Sequence, residues 1–232
     1  VKYGDTSLIT TIFTADTGVQ TYIVQGVRNS KAKQAKAGLL QPATLLDIVT
    51  YHKPQTNLQR LREFQLSYIY TTLQEEVIKN SIALFSVEVL LKLLPEHAPM
   101  PDLFQHAFDY FCQLDRNPID SVANYPLFFV ITCGRVLGYD IHGSYSAETP
   151  YLNMREGAFT NAAPGLENYL NDEDALILSQ LIAINDVSGL NMLEMNSATR
   201  NRLLDWYLEF LHSHTQHMGS IKSLGVLRTI LH

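Results

Sequence analysis

The spacing of apolar residues changes character once along this 232-residue chain, near residue 74. Side chains alternate across a strand with period two and recur on a helix every three or four positions. Such a change therefore separates a strand-built part from a helix-built part. Ser-Leu-Ile-Thr-Thr-Ile-Phe-Thr at 7–14 is rich in β-branched and aromatic residues and runs into Ala15-Asp16-Thr17-Gly18, a turn that suits a hairpin. Residues 19–27 form the return strand, with Val19, Thr21 and Ile23 alternating against Gln20, Tyr22 and Val24. Residues 28–38 carry four cations and no apolar side chain larger than Ala, the composition of a solvated loop. The strand pattern resumes over 45–53, turns at Pro54-Gln55-Thr56-Asn57 and returns over 58–73, passing into a short helix near its end. Short antiparallel strands with Gly and Pro turns, within about 70 residues, fit a small β-barrel better than a sandwich.

Beyond Gln74 the period is helical. Val77, Ile78, Ile82, Phe85, Val89, Leu90 and Leu93 recur at three- and four-residue steps as far as Pro95. Further helices are expected over 102–114, with Asp102 at its start, and over 125–137, which is apolar nearly all round, as a central buried helix must be. Gly138 stops that helix, and three more follow over 172–184, 197–212 and 220–231. The fold class expected is α+β: a barrel at 1–74 followed by a larger, all-α domain at 75–232. No internal repeat is evident.

Charge follows the same division. Residues 1–80 hold nine Lys or Arg against six Asp or Glu, a formal +3, and the remainder holds eight against seventeen, a formal −9. Attraction for phosphate should reside in the first third. No apolar run approaches the ~18 uncharged residues that cross a bilayer, because Glu88, Lys92 and Arg135 interrupt the most apolar stretches. No charged-then-apolar leader precedes the first strand, so a soluble protein without a signal peptide is expected. Cys112 and Cys133 are too few for a disulfide scaffold and read as buried, inert thiols in a reducing compartment.

The densest local feature is Arg28-Asn29-Ser30-Lys31-Ala32-Lys33-Gln34-Ala35-Lys36, four cations on a loop between strands. Loops of small barrels grip nucleic-acid backbones, and aromatic residues add stacking that tolerates any base; Tyr22, Tyr51, Phe64, Tyr68 and Tyr70 are the aromatics available. From the run alone, a solvated loop is the simpler account. His212, His214 and His217 resemble a metal cluster, but 212 and 214 fall on different faces of a helix and no thiol or carboxylate stands at ligand spacing. Asp172-Glu173-Asp174 reads as acids stabilising a helix N-terminus. Phosphate-loop, dinucleotide, nucleophile-elbow and zinc-protease motifs are absent from the sequence, so neither a catalytic site nor a cofactor is expected.

The order of segments resembles the RecO family of bacterial DNA repair and recombination-mediator proteins. Lys2-Tyr3-Gly4-Asp5-Thr6-Ser7-Leu8-Ile9 looks like that family's opening strand, followed by Phe13-Thr14 and Gly18. Val24-Gln25-Gly26-Val27-Arg28 with Lys31 resembles its glycine-and-basic loop, and Leu40-Gln41-Pro42-Ala43-Thr44-Leu45-Leu46 the strand after it. Glu88 to Leu94 with Pro101-Asp102-Leu103-Phe104, Pro126 to Phe129 running to Leu137-Gly138-Tyr139, and Ile221-Lys222-Ser223-Leu224 resemble its helices.

The resemblance implies an OB-fold barrel and a helical domain in a bacterial cytoplasmic, nucleoid-associated protein that is not an enzyme. It implies binding of single- and double-stranded DNA, annealing without ATP, and loading of recombinase with RecR, and with RecF in many members, on DNA coated by single-stranded-DNA-binding protein. The acidic tail of that last protein would dock on the helical domain. Carried over to this chain, the resemblance implies DNA contacts at Arg28, Lys31 and Lys33, with Lys36, Arg60 and Arg62 as secondary contacts. Two departures stand out. Many members carry a four-cysteine zinc module, whereas the matching window 140–161 has no cysteine, so no zinc is expected. Members also carry residues ahead of the Tyr-Gly segment, which would supply much of the first barrel strand. A protein-interaction scaffold centred on the acidic helical domain is the alternative.

Overall fold

The computed structural model describes residues 2–3, 6–27, 36–51, 53, 56–165, 168–215 and 218–231. The chain forms two compact units: residues 1–75 with 94–115, and residues 76–93 with 116–232. Each unit takes two stretches of chain.

The first unit is built on five strands, β1 (Lys2–Tyr3), β2 (Ser7–Thr14), β3 (Gly18–Val24), β4 (Leu46–Tyr51) and β5 (Leu58–Leu66), in the spatial order β1-β2-β3-β5-β4. The hairpins β2–β3 and β4–β5 are antiparallel, and β3 runs parallel to β5. That parallel pair departs from the all-antiparallel expectation, since the return from β3 to β5 passes through β4. The closed barrel expected from the sequence is, among the described residues, an open sheet with β1 and β4 at its edges. On the inner face Tyr22, Val24, Val27 and Leu61 are buried, with Leu8, Ile12, Ile48 and Phe64 packed against them. Ala37 and Leu40, from the loop between β3 and β4, cover the same face.

Gly18 closes the β2–β3 hairpin at φ +69°, a conformation L side chains rarely adopt, and a Cβ there would lie 2.2 Å from the Ala98 carbonyl oxygen. The segment 96–98 reaches this point because the His97 N–H donates to the Val19 carbonyl at 3.1 Å. Helix α2 (Pro101–Arg116) follows and places Phe104 edge-on against Phe13, 5.6 Å between ring centres. The expected strand over 58–73 ends at Leu66 and no helix follows. Instead Thr71, Thr72 and Leu73 direct their backbone N–H groups at the carboxylate of Asp115, at 2.8 to 3.1 Å. The hydroxyls of Tyr68 and Thr71 donate to it as well.

The second unit packs α1 (Val77–Leu93), α3 (Tyr125–Val136), α4 (Asp172–Ala183), α5 (Ser197–His214) and α6 (Leu224–Ile230). Helix α3 is buried at every position from Tyr125 to Gly134, as expected of a central helix, and touches α1, α4 and α5. It ends at Gly138, φ +84°. Helix α6 is shorter than expected because Glu88 of α1 accepts the N–H groups of Lys222 and Ser223 at 2.8 Å, which fixes the helix start there. Asp174 in the first turn of α4 holds Arg202 through two bonds of 2.9 and 2.8 Å. The expectation of an all-α second part needs correction. Three short strands, β6 (Tyr151–Asn153), β7 (Ala158–Thr160) and β8 (Tyr169–Leu170), form an antiparallel sheet ordered β7-β6-β8. Strands of two and three residues carry too little alternation to register as a period. Cys112 and Cys133 are buried and not joined in a disulfide, and burial pushes the Cys133 thiol far up.

Candidate nucleic-acid interface

The outer face of the first sheet divides in two. Phe13 and Val19 lie at its turn end, where Val19 is buried and Phe104 covers Phe13. At the other end the registers Ile9↔Ile23, Ile23↔Arg60 and Tyr51↔Arg60 align Ile9, Ile23, Arg60 and Tyr51 in one row across four strands. Paired residues project to the same side of a sheet, so this row forms a continuous surface. Arg60 and Tyr51 in it are exposed, Tyr51 by 50%.

Arg62 joins them through an irregularity. Val49 pairs with Glu63 but Thr50 pairs with Leu61, so β5 carries one extra residue at Arg62. This β-bulge shifts the phase of the strand: Gln59 and Leu61 are buried before it, Phe64 and Leu66 turn inward after it, and both Arg62 and Glu63 face solvent. The Arg62 guanidinium sits 5.6 Å from the centre of the Tyr51 ring, and its Nε lies 3.1 Å from Glu63 Oε1. Ion pairs this exposed are screened and contribute little stability.

Lys53 adds a fourth cationic or aromatic group beyond Tyr51. Its side chain is exposed while its backbone is held on both sides by buried Gln59, whose Oε1 accepts the Lys53 N–H at 2.8 Å and whose Nε2 donates to the Lys53 carbonyl at 2.9 Å. The same Nε2 donates to the Thr56 carbonyl at 2.6 Å. One buried amide with its donors and acceptor engaged thus ties down both ends of the β4–β5 loop.

The sequence-based contacts separate accordingly. Arg60 and Arg62 come together beside Tyr51. Lys36 is exposed but opens the turn whose Ala37 and Leu40 pack on the inner face, so it stands on the other side of the sheet. Arg28, Lys31 and Lys33 lie outside the described residues. Of the five aromatics, Tyr22 and Phe64 belong to the inner core, Tyr68 donates to Asp115, and Tyr70 donates to the Ala43 carbonyl at 2.6 Å. Tyr51 alone of that set presents a half-exposed ring. Lys53 was not singled out by sequence; its place two residues beyond Tyr51 was the available signal.

In the second unit, a cleft of about 550 Å³ is lined by Asp120, Glu173, Glu194, Leu190, Met195 and Arg200 among others. Arg200 donates to Asn124 Oδ1 at 2.9 Å and to the Met195 carbonyl at 3.2 Å, and burial lowers its pKa. Three carboxylates about one arginine repel polyanions, so this cleft is a poor seat for DNA or for an acidic peptide. His214 is occupied structurally: its ring nitrogens lie 2.8 Å from the Phe210 carbonyl and 3.1 Å from that of Arg155. His217 lies outside the described residues. Among the described residues no group of three His, Cys, Asp or Glu side chains is placed to hold a metal ion, and no helix is long and apolar enough to cross a membrane.

Comparison with known proteins covers both units. A family model described as Recombination protein O N terminal matches residues 1–70, and one described as Recombination protein O C terminal matches residues 74–224. Curated proteins named DNA repair protein RecO are similar along the whole chain. That of Bacteroides fragilis is 31% identical over 232 residues, and that of Christiangramia forsetii 28% identical over 230, each aligned over 99% of this chain and 94% of the relative. The relative from Porphyromonas gingivalis is 23% identical over 98% of the chain. With both models matched in order and a relative above 30% identity end to end, the chain belongs to the RecO family.

Proposed function

We propose that this chain is a recombination mediator in DNA repair. It binds single- and double-stranded DNA through the first unit, anneals complementary strands without ATP, and helps load recombinase on DNA coated by single-stranded-DNA-binding protein. RecR is its partner in that step, with RecF where it is used, and the acidic tail of the single-strand binder docks on the second unit. It acts in the bacterial cytoplasm at the nucleoid and is not an enzyme. The observation that carries the reading is the ordered match of both family models, to relatives named for DNA repair. The exposed set Tyr51, Lys53, Arg60 and Arg62 supports DNA contact on the sheet. The five-stranded order β1-β2-β3-β5-β4 with a parallel β3–β5 pair, together with the N-terminal family match, supports reading the first unit as an OB-type sheet left open at its edges.

The test is annealing of complementary oligonucleotides with no nucleotide present. Acceleration is expected, together with single-strand affinity that falls by a log–log salt slope of roughly −0.7 per phosphate neutralised. A scaffold reading rests on the −9 charge of residues 81–232 and on Val77, Leu84 and Leu91, exposed at seven-residue steps along α1. Partner capture without any annealing or DNA binding favours the scaffold.

A further inference from the structure

We infer that Tyr51 is a base-stacking residue and that the outer face of β5 and β4 is a platform for unpaired nucleotides. The inference rests on the DNA-binding reading above and names the part of the surface that distinguishes single strands from duplex. A base in a duplex has both faces covered by its neighbours, whereas an unpaired base can lay a face on an exposed aromatic ring. Tyr51 offers such a ring at the edge of the sheet, next to cations that can take the flanking phosphates: Arg60 directly across the ladder and Arg62 5.6 Å from the ring centre. Lys53 continues the cationic line by two residues. Exposed Leu58 and half-buried Ile23 extend the apolar part of the face beside them.

The occupant follows from this chemistry. A protein partner would bury the apolar residues and leave Arg60 and Lys53, beside the Arg62–Glu63 pair, to be matched by further carboxylates, whereas a nucleic-acid strand supplies a base for the Tyr51 ring and phosphates for the cations around it. Arg62 is already placed against the ring, so a stacked base completes an arrangement whose aromatic and cationic parts are preset. The platform is held still: Gln59 is buried beneath it and fixes the Lys53 backbone, and Leu61 anchors β5 in the inner core.

Tyr51→Thr removes the ring and keeps a β-branched residue on the strand, and Tyr51→Phe keeps the ring. The probe is an oligo-dT strand, compared with a strand of equal length in which most sites are abasic, so that charge is constant and bases are not. For the full chain, Tyr51→Thr should weaken oligo-dT binding about ten-fold, leave its salt slope unchanged and leave abasic-strand binding unchanged. Tyr51→Phe should bind like the parent chain. Arg62→Gln should instead lower the salt slope by about 0.7. Equal loss of affinity for both strands, or none for either, overturns the stacking role while DNA binding stands. Failure of the parent chain to bind oligo-dT overturns both readings. A change of oligomeric state in Tyr51→Thr without a change in DNA affinity assigns the face to self-association and overturns the inference.

Discussion

Asp115 Oδ1 accepts the backbone N–H of Leu73 at 2.8 Å, and that of Thr72 at the same distance, across more than forty residues of sequence. Burial by itself would push this carboxyl up. The N–H groups of Thr72, Leu73 and Thr71, with the Thr71 hydroxyl, outweigh burial and hold it at about 2, below its ordinary 3.8. A carboxyl depressed by folding stabilises the fold fully above its unfolded pKa and loses that contribution as pH falls through the folded value. The contribution is about 2 kcal/mol, lost between about pH 4 and pH 2. Urea unfolding at pH 7 should show Asp115→Asn less stable by roughly 2 kcal/mol, with the gap narrowing as the pH is lowered towards 3. An unchanged gap at low pH would show that the charge is not what holds residues 71–73.

Glu88 caps a helix from another element. Burial opposes its ionisation, yet the Ser223 hydroxyl and the N–H groups of Lys222 and Ser223 lower its pKa. Glu88→Ala should destabilise α6 by about 1 kcal/mol, read as faster amide exchange at Lys222, Ser223 and the first turn beyond. Exchange that stays at the parent rate there would mean the helix start is fixed by something else.

Two glycines with left-handed backbones should behave differently. Gly138→Ala meets no neighbouring atom and should cost about 1 kcal/mol of conformational strain. Gly18→Ala adds to the same strain a methyl group 2.2 Å from the Ala98 carbonyl oxygen, so the hairpin and the segment 96–98 must separate. Its melting temperature should fall several times further than that of Gly138→Ala. Comparable melting temperatures would disprove the close approach.

Charge changes on the sheet should sort the candidate DNA contacts. Arg60→Glu with Arg62→Glu should lower oligo-dT affinity and salt slope with little loss of fold, because both side chains are exposed. Glu63→Gln frees Arg62 from its 3.1 Å ion pair and should tighten binding a few-fold at low salt, fading as salt rises. Reversing Arg28, Lys31 and Lys33 tests the loop separately. If only the loop reversals matter, the sheet face is not the contact.

Much of this architecture was legible in the sequence because burial leaves a period. The runs at 7–14 and 125–137 match β2 and α3 closely, since β-branched and aromatic residues favour a strand and all-round apolarity marks a central helix. What escaped was set by single contacts between distant residues. Nothing in the composition of 67–73 announces that Asp115 will collect its N–H groups, and nothing near Ser220 reveals that Glu88 will fix the start of α6. The candidate face was legible only as separate residues. Arg60 and Arg62 were among the cations named, and Tyr51 was one aromatic of five, but bringing them together depends on cross-strand register and on a bulge that no local pattern encodes.

The assignment of residues 94–115 to the first unit bears on how the protein is made. As the chain leaves the ribosome, all five strands emerge well before Phe104 and Asp115, so the sheet waits with Phe13 and Val19 uncovered and with the N–H groups of 71–73 unmet. By then α1 has also emerged, and it belongs with partners synthesised later still. Completion of the strand unit is thereby timed to the arrival of residue 115, and a fragment cut near residue 74, between the two family matches, would be a sheet permanently held at that unfinished stage.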